Sequence, residues 1–397
     1  MIQGFLRSDG RKGIRNVVAV AYLVECSHHV AREIALPFRD RDVHLIGFPG
    51  CYPNAYAAKI MRQLCTHPNV GAVLLVSLGC ESYDRQALLD AIRATDRPVE
   101  LLVIQESGGT ASSIQAGRAW VEQALDQLQT QPRAELRLDE LVVGTICGGS
   151  DATSGLTANP AAGRAFDLLV QAGATAIFEE TGELIGCEQF MARRAATPEL
   201  GRQIVACVEK AARYYRVLGH SSFAPGNAEG GLTTIEEKSL GAYSKSGKSP
   251  ITGLIKPGDV PPTGGLYLLD VVPDGEVRFG FPNISDNAEI VELIACGCHL
   301  TLFTTGRGTV VGSALAPVIK ICANPETYRK MSGDMDVDAG RILDGRAALD
   351  EVGQEIFDLI LAVACGRRTV SESLGHQEFI LTYKAFEPLG PGCLPVS

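Results

Sequence analysis

The 397-residue chain has no apolar run approaching the ~18–20 residues that a membrane span needs. Its first twenty residues mix Arg7, Asp9, Arg11, Lys12 and Arg15 with apolar positions, so no secretory signal is visible. Positive charge is not in excess either. The net charge of −10 argues against nucleic acid or an anionic membrane as a partner. A soluble, cytoplasmic protein is expected. A small anionic substrate remains compatible with it, because a local Arg or Lys pocket can oppose the global sign. No GxGxxG follows the first strand-like run, and no GxxxxGK precedes a Ser or Thr, so no nucleotide is expected. The absence of GxSxG removes the serine-hydrolase elbow. No CxxC pair occurs, which leaves zinc-ribbon and thioredoxin readings without support; twelve cysteines in a cytosolic chain then read as thiols or metal ligands rather than disulfides.

What the chain does have is glycine, 43 residues of it, which suits tight turns and sites lined by backbone. Strand-like runs at residues 17–24, 43–48, 70–78 and 99–104 alternate with helical patterns at 27–35, 56–65, 85–94 and 112–128. That rhythm is the signature of a parallel sheet with crossover helices. Polar residues around Pro132 suggest a boundary. Beyond it the rhythm resumes, with strands at 141–146, 174–178, 266–272 and 300–304 and helices at 163–172, 198–217, 284–295 and 348–364. The expected fold is α/β, with two Rossmann-like parallel-sheet units at residues 1–132 and 137–397. The second is elaborated by a long Gly/Ser/Thr-rich insertion between His220 and Pro262, and a stretch of that length inside a compact protein usually serves function or an interface.

Four strand-like runs lead into cysteine, at Cys26, Cys51, Cys80 and Cys147. The carboxyl ends of a parallel sheet share one edge, so these thiols are expected to converge on zinc or an iron–sulfur cluster. Buried, inert cysteines are the competing reading. His28 and His29 open the first helix beside Cys26, and Glu81 follows Cys80; His28 and Glu81 are candidates for proton transfer. After Cys147 come Gly148, Gly149, Ser150 and Asp151, with Asn159 further on; these polar residues are candidates for shaping the site. In the insertion, Asn227, Thr233, Thr234 and Lys238 could hold a carboxylate and hydroxyls, with Lys238 as an anion clamp or, if desolvated, a base. Thr233 and Glu236 also fit a capping box on a surface helix. Arg307, in a glycine turn after residues 300–304, suits bidentate carboxylate recognition; a turn arginine on the surface is the alternative, and Arg15 carries the same two readings. Glu179, Glu180 and Glu183 cluster after a strand end, as a base or as a solvated acidic loop.

Several longer motifs occur in order: GFLRSDGRKGIRN at residues 4–16, Gly50-Cys51, HPNVGAVLLVSLGCE at 67–81 and CGGSDATSGLTANPAAG at 147–163. GGLTTIEEKSLG at 230–241, FTTGRGTVVGSALAPVIKI at 303–321 and DMDVDAG at 334–340 complete the set. Together they resemble the large catalytic part of the altronate/galactarate dehydratase family, which includes the large subunit of sulfolactate sulfo-lyase. The resemblance implies a lyase of sugar-acid catabolism that removes water to give a 2-keto-3-deoxy acid and is associated with iron. Full-length family dehydratases carry a small β-rich domain ahead of the matched region. A chain opening at these motifs is therefore expected either to have a separate small β-rich subunit or to be a family member that dispenses with it, and homo-oligomerisation is expected as well. Carbon–sulfur cleavage is the alternative chemistry, and a large subunit inactive without its partner is the alternative role.

Overall fold

The computed structural model describes residues 1–218, 225–274, 285–381 and 383–384. Near the amino terminus β1 (Ile2–Leu6) pairs antiparallel with β2 (Lys12–Gly13). Then β3 (Val17–Tyr22), α1 (Glu25–Ala35), β4 (Val43–Gly47), α2 (Ala55–Cys65), β5 (Val70–Ser77), α3 (Arg85–Arg93), β6 (Val99–Val103) and α4 (Thr110–Leu128) alternate. The four strands form an all-parallel sheet in the order β4-β3-β5-β6. The polar segment expected as a boundary is not wholly a linker. Its β7 (Arg133–Leu136) pairs antiparallel with β1, and Leu136 lies opposite Ile2 with both buried, while Arg133 and Glu135 face water.

The second sheet is built from β8 (Val142–Cys147), α5 (Ala158–Gln171), β9 (Thr175–Phe178), α6 (Glu188–Arg194), α7 (Pro198–Leu218), α8 (Pro225–Glu229), α9 (Ile235–Ser244), β10 (Ile251–Ile255) and β11 (Gly265–Leu269). The elements α10 (Asp286–Ala295), β12 (Leu300–Thr305), β13 (Val318–Cys322), α11 (Pro325–Met331), β14 (Val337–Asp338), α12 (Leu349–Ala364) and α13 (Val370–Leu374) follow. Its seven parallel strands run β10-β11-β9-β8-β12-β13-β14. The Gly/Ser/Thr-rich stretch contains two helices and the edge strand β10; its first residues, and residue 284 of the expected helix, lie outside the described residues. Ser285 caps α10 instead, accepting from Ala288 N at 3.4 Å. β13 escapes a reading by apolar runs because Lys320 interrupts it.

Strand order reverses direction at β3 in one sheet and between β8 and β12 in the other, and such switch points open a crevice at the carboxyl ends of the strands. Alternation along β3 divides the core: Val17, Ala19 and Ala21 point one way, Val18 and Val20 the other. The first set shares a single apolar cluster with Ile146 of β8, Phe303 of β12 and the apolar residues of α10, so the two sheets are fused through one interior. Arg15 is buried rather than exposed. It donates to both oxygens of Glu372 (2.6 and 2.9 Å) and to the carbonyls of Val363 (3.0 Å) and Arg367 (2.8 Å), fastening the start of the chain to α12 and α13.

Candidate active site

Cys147 ends β8 at the second switch point and is buried. Gly148 follows because the Asp286 carboxylate occupies the space a Cβ would take, and Gly149 adopts φ +60°, a conformation that favours glycine. The Gly149 carbonyl accepts from Gly306 N (3.1 Å) and Arg307 N (2.8 Å), which ties this turn to the one after β12. From the other side comes α9, capped by Thr234, whose hydroxyl accepts from Glu237 N at 3.2 Å. It aims Lys238 inward. The Lys238 ammonium donates to Ser150 Oγ (2.8 Å), pairs with Glu183 (2.8 Å) and lies 3.2 Å from Cys147 Sγ. Burial alone would lower the pKa of Lys238, but Cys147 and Glu183 push it well above the ordinary lysine value.

The acidic residues after β9 are enclosed, not solvated. Glu179 and Glu180 are buried, and Glu183 is largely so. Glu180 Oε1 lies 3.2 Å from both Cys147 N and Cys147 Sγ, and Glu183 Oε2 lies 3.3 Å from the same sulfur. The Glu180 backbone is held at φ +76°, a left-handed conformation costing a non-glycine residue about 1–3 kcal/mol, of the kind that collects at functional sites. Cys147, Glu180 and Glu183 each present a ligand atom within 4.8 Å of the others, a group that could hold a metal ion.

Sequence reasoning missed the third side of the site. Asp286, Glu289 and Glu292 lie three residues apart on α10, and Glu289 and Glu292 are fully enclosed. Ile290, Val291, Leu293 and Ile294 leave that helix no polar face, and this signal could have placed its acids inside. Tyr56 of α2 donates to Glu292 at 2.5 Å, and Lys384, also fully buried, pairs with it at 2.7 Å.

Among the described residues, six carboxyl groups therefore share this interior with three ammonium groups. Lys238 pairs with Glu183, Lys245 with Glu180, and Lys384 with Glu292. Among the described residues, Glu179, Asp286 and Glu289 have no cationic partner. Burial, reinforced by Glu289, raises Glu179 well above the carboxylate range, and neither of its oxygens has a hydrogen bond among the described residues. Burial raises Glu289 to about 8, with Lys384 opposing and Glu292, Asp286 and Glu183 adding to the rise. Burial and Glu183 raise Asp286 to about 6.

The structure thus brings together Cys147, Ser150 and Lys238 of the expected residues. Asp151 and Asn159 shape the surrounding loops. Asp151 Oδ1 accepts from Thr153 N (2.9 Å) and Oγ1 (2.6 Å), and its Oδ2 accepts from Asn324 (2.9 Å). Asn159 accepts from Thr304 Oγ1 at 2.7 Å. The expected box on Thr233 and Glu236 does not form: Thr234 is the cap, and the Glu237 carboxylate accepts from Thr233 N (3.0 Å). Arg307 is exposed, donates to the Gly226 carbonyl and pairs with Glu229 at 3.3 Å, with Asn227 buried on the same short helix.

Cys26, Cys51 and Cys80 follow β3, β4 and β5 of the other sheet and are exposed. The expected common edge is therefore two edges, because the switch to a second sheet separates Cys147 from the rest. None of the three belongs to the ligand group around Cys147. Their loops do touch: Ser82 N donates to the Cys51 carbonyl (3.0 Å) and Glu25 N to that of Pro49 (3.0 Å). His28 sits there, 3.0 Å from Glu25 and stacked near Tyr22. Burial would raise Glu81, but hydrogen bonds from Ser77 and Gly79, with Arg85 nearby, hold it below its usual range.

Residues 138–386 match the family described as D-galactarate/altronate dehydratase, C-terminal, and residues 4–129 match D-galactarate dehydratase/altronate hydrolase, second domain. The chain belongs to the galactarate/altronate dehydratase family. Among family relatives, the (2R)-sulfolactate sulfo-lyase subunit beta of Chromohalobacter salexigens is 36% identical over 411 residues, 96% of each chain. Altronate dehydratase of Bacillus subtilis is 30% identical across 96% of this chain and 77% of its own. Galactarate dehydratase (L-threo-forming) of Escherichia coli is 32% identical across 94% and 74%. No described helix is long and apolar enough to cross a membrane.

Proposed function

We propose that this member of the family is a hydro-lyase that eliminates water from a small sugar acid or related hydroxy acid, leaving a 2-keto-3-deoxy acid. The observation that carries this reading is the enclosed acid cluster around Cys147, with three carboxyls paired and three unpaired among the described residues, at a switch point. Elimination next to a carboxylate needs a base for the α-proton, an acid for the departing hydroxyl and positive charge for the enediolate.

The residues present fit a resident iron(II). A thiolate with two carboxylates suits a borderline-soft divalent ion, and the surplus of buried acid favours a cation among them. Cys147, Glu180 and Glu183 would hold it, and when bound it supplies Lewis-acid stabilisation of developing negative charge. The remaining roles belong to the chain itself. Lys238, kept protonated by Cys147 and Glu183, attracts the substrate carboxylate and, through Ser150, is fixed in direction. Asp286, beside Gly148 and mostly ionised at neutral pH, takes the α-proton; Glu289, one turn along α10 and largely protonated, gives a proton to the leaving oxygen. Lys384 and Tyr56 keep Glu292 anchored at the end of this row.

A second reading has support of its own: the end-to-end length match with the sulfo-lyase subunit beta favours carbon–sulfur cleavage by a large subunit that works with a small β-rich partner. Turnover of a panel of sugar acids and sulfonated hydroxy acids by the anaerobically iron-loaded chain separates the two. A 2-keto acid from a sugar acid supports the first, sulfite release supports the second, and no product from any acid overturns the first as an activity of this chain alone.

A further inference from the structure

The opening motif at residues 4–16 takes no part in the acid cluster, yet the fold buries its first arginine in an unusual setting. Arg7 and Arg97 are 4% and 6% exposed. Among the described residues neither meets a carboxylate. Arg7 donates to the carbonyls of Pro68 (2.7 Å) and Arg15 (3.3 Å) and to Asn16 Oδ1 (2.9 Å). Arg97 donates to the carbonyls of Val70 (2.9 Å) and His67 (3.2 Å) and to Thr95 Oγ1 (2.8 Å). A guanidinium has five N–H groups, so each keeps donors to spare, and carbonyl oxygens satisfy hydrogen bonds without cancelling charge.

Both side chains line a cavity of about 270 Å³, with Ser8, Thr95, Asp96 and Gln131 around them. It lies by Gly71 and Pro98, at the amino ends of β5 and β6, on the edge of the four-stranded sheet opposite its cysteines. The nearby acids offset it only in part: Asp9 attracts both guanidiniums but is hydrogen-bonded to Arg11 at 2.7 and 2.9 Å, and Asp96 is an exposed residue on the cavity rim. The charge is felt: burial, with Arg97 adding repulsion, lowers Arg7 to about 9, and burial with Arg11 lowers Arg97 to about 10.

We propose that this cavity binds a small multivalent oxyanion of the phosphate class. Two enclosed guanidiniums with unspent donors match the charge and tetrahedral oxygens of such an ion. The site is separate from the acid cluster, which repels anions except through Lys238, and it does not depend on the lyase reading.

Inorganic phosphate is the probe, titrated into the full chain at constant ionic strength with chloride as balance. Thermal unfolding is expected to rise by roughly 2 °C once phosphate exceeds Kd about tenfold. Lys238→Met keeps this rise, which excludes the acid cluster as its source. Arg97→Gln abolishes it. Because that variant removes a buried contact and could fail to fold, Ser8→Asp serves as the second arm. It adds a carboxylate at an exposed lining position and is expected to weaken phosphate at least fivefold while folding normally. Asp96→Asn removes the rim carboxylate and is expected to tighten it. A phosphorylated three-carbon acid, tested alongside, tells whether the group is accepted on a larger molecule. No rise in the parent chain, or a rise that Ser8→Asp and Asp96→Asn leave unchanged, overturns the proposal.

Discussion

The carboxyl edges of the two sheets make a controlled contrast within one chain. Each has a switch point, each places cysteine just at or beyond the strand, and each adds carboxylates nearby. At the four-stranded sheet the thiols face solvent and Glu81 is held ionised by hydrogen bonds from its own loop. At the seven-stranded sheet the thiol is buried against Lys238 of α9 and the carboxyls of Glu180 and Glu183, with the buried acids of α10 and Lys384 in the same interior. A strand-end thiol is common to both edges, so it does not by itself make a reactive centre. What sets the second edge apart is enclosure, because charges sealed from water interact more strongly and shift one another's proton affinities.

The largest test of this contrast is at the sulfur. Cys147→Ser is expected to lose bound iron and lower kcat/KM by about 10³-fold, since a Lewis acid contributes several kcal/mol. Replacing Cys26, Cys51 and Cys80 together should leave metal content, measured by plasma mass spectrometry, unchanged. Equal iron loss from both variants would erase the distinction between the edges.

Next in size are the row of acids. The pH profile of kcat/KM should be a bell, rising as Asp286 deprotonates near 6 and falling as Glu289 loses its proton near 8. Glu289→Gln should cost about 10²-fold and remove the alkaline limb, while Asp286→Asn should remove the acid limb. A profile unchanged in shape in both variants would take catalysis away from α10. Glu81→Gln, at the open edge, should leave both limbs in place.

Smaller effects concern enclosure itself. Tyr56→Phe removes a donor to a buried carboxylate and is expected to cost about 1.5 kcal/mol in denaturant unfolding. Thr234→Ala, which uncaps the helix carrying Lys238, should cost about 1 kcal/mol. If either change proves neutral, its element is not what seals the site.

Much of this architecture is legible in order along the chain. The apolar runs that become β3, β5, β8 and β12 are long, and the last three lead into glycine, so they declare themselves. Cys147, Ser150 and Lys238 are legible through glycine-rich motifs that pack chemistry into few residues. The strand containing Lys320 and the edge strand β10 are not, because each carries too few consecutive apolar residues to stand out. The acids of α10 are hidden for a different reason. An acid on a helix reads as surface, and what permits these to be buried comes from Tyr56 and Lys384, 236 positions before Glu292 and 92 after it. Compensation at that sequence distance leaves no local trace.

Arg15 has a bearing on the order in which the molecule can be made. Its carboxylate partner, Glu372, lies 357 residues downstream. At synthesis rates of roughly 5–20 residues per second, about 20–70 s pass between the emergence of the two. Throughout that interval the first sheet exists without its clamp, while β8, α10 and β12, whose apolar residues share a core with one side of β3, emerge in turn. A nascent chain of this protein therefore presents a finished sheet topology with an unfinished face, and its last turns of helix are what close the ribosome-borne intermediate into the native state.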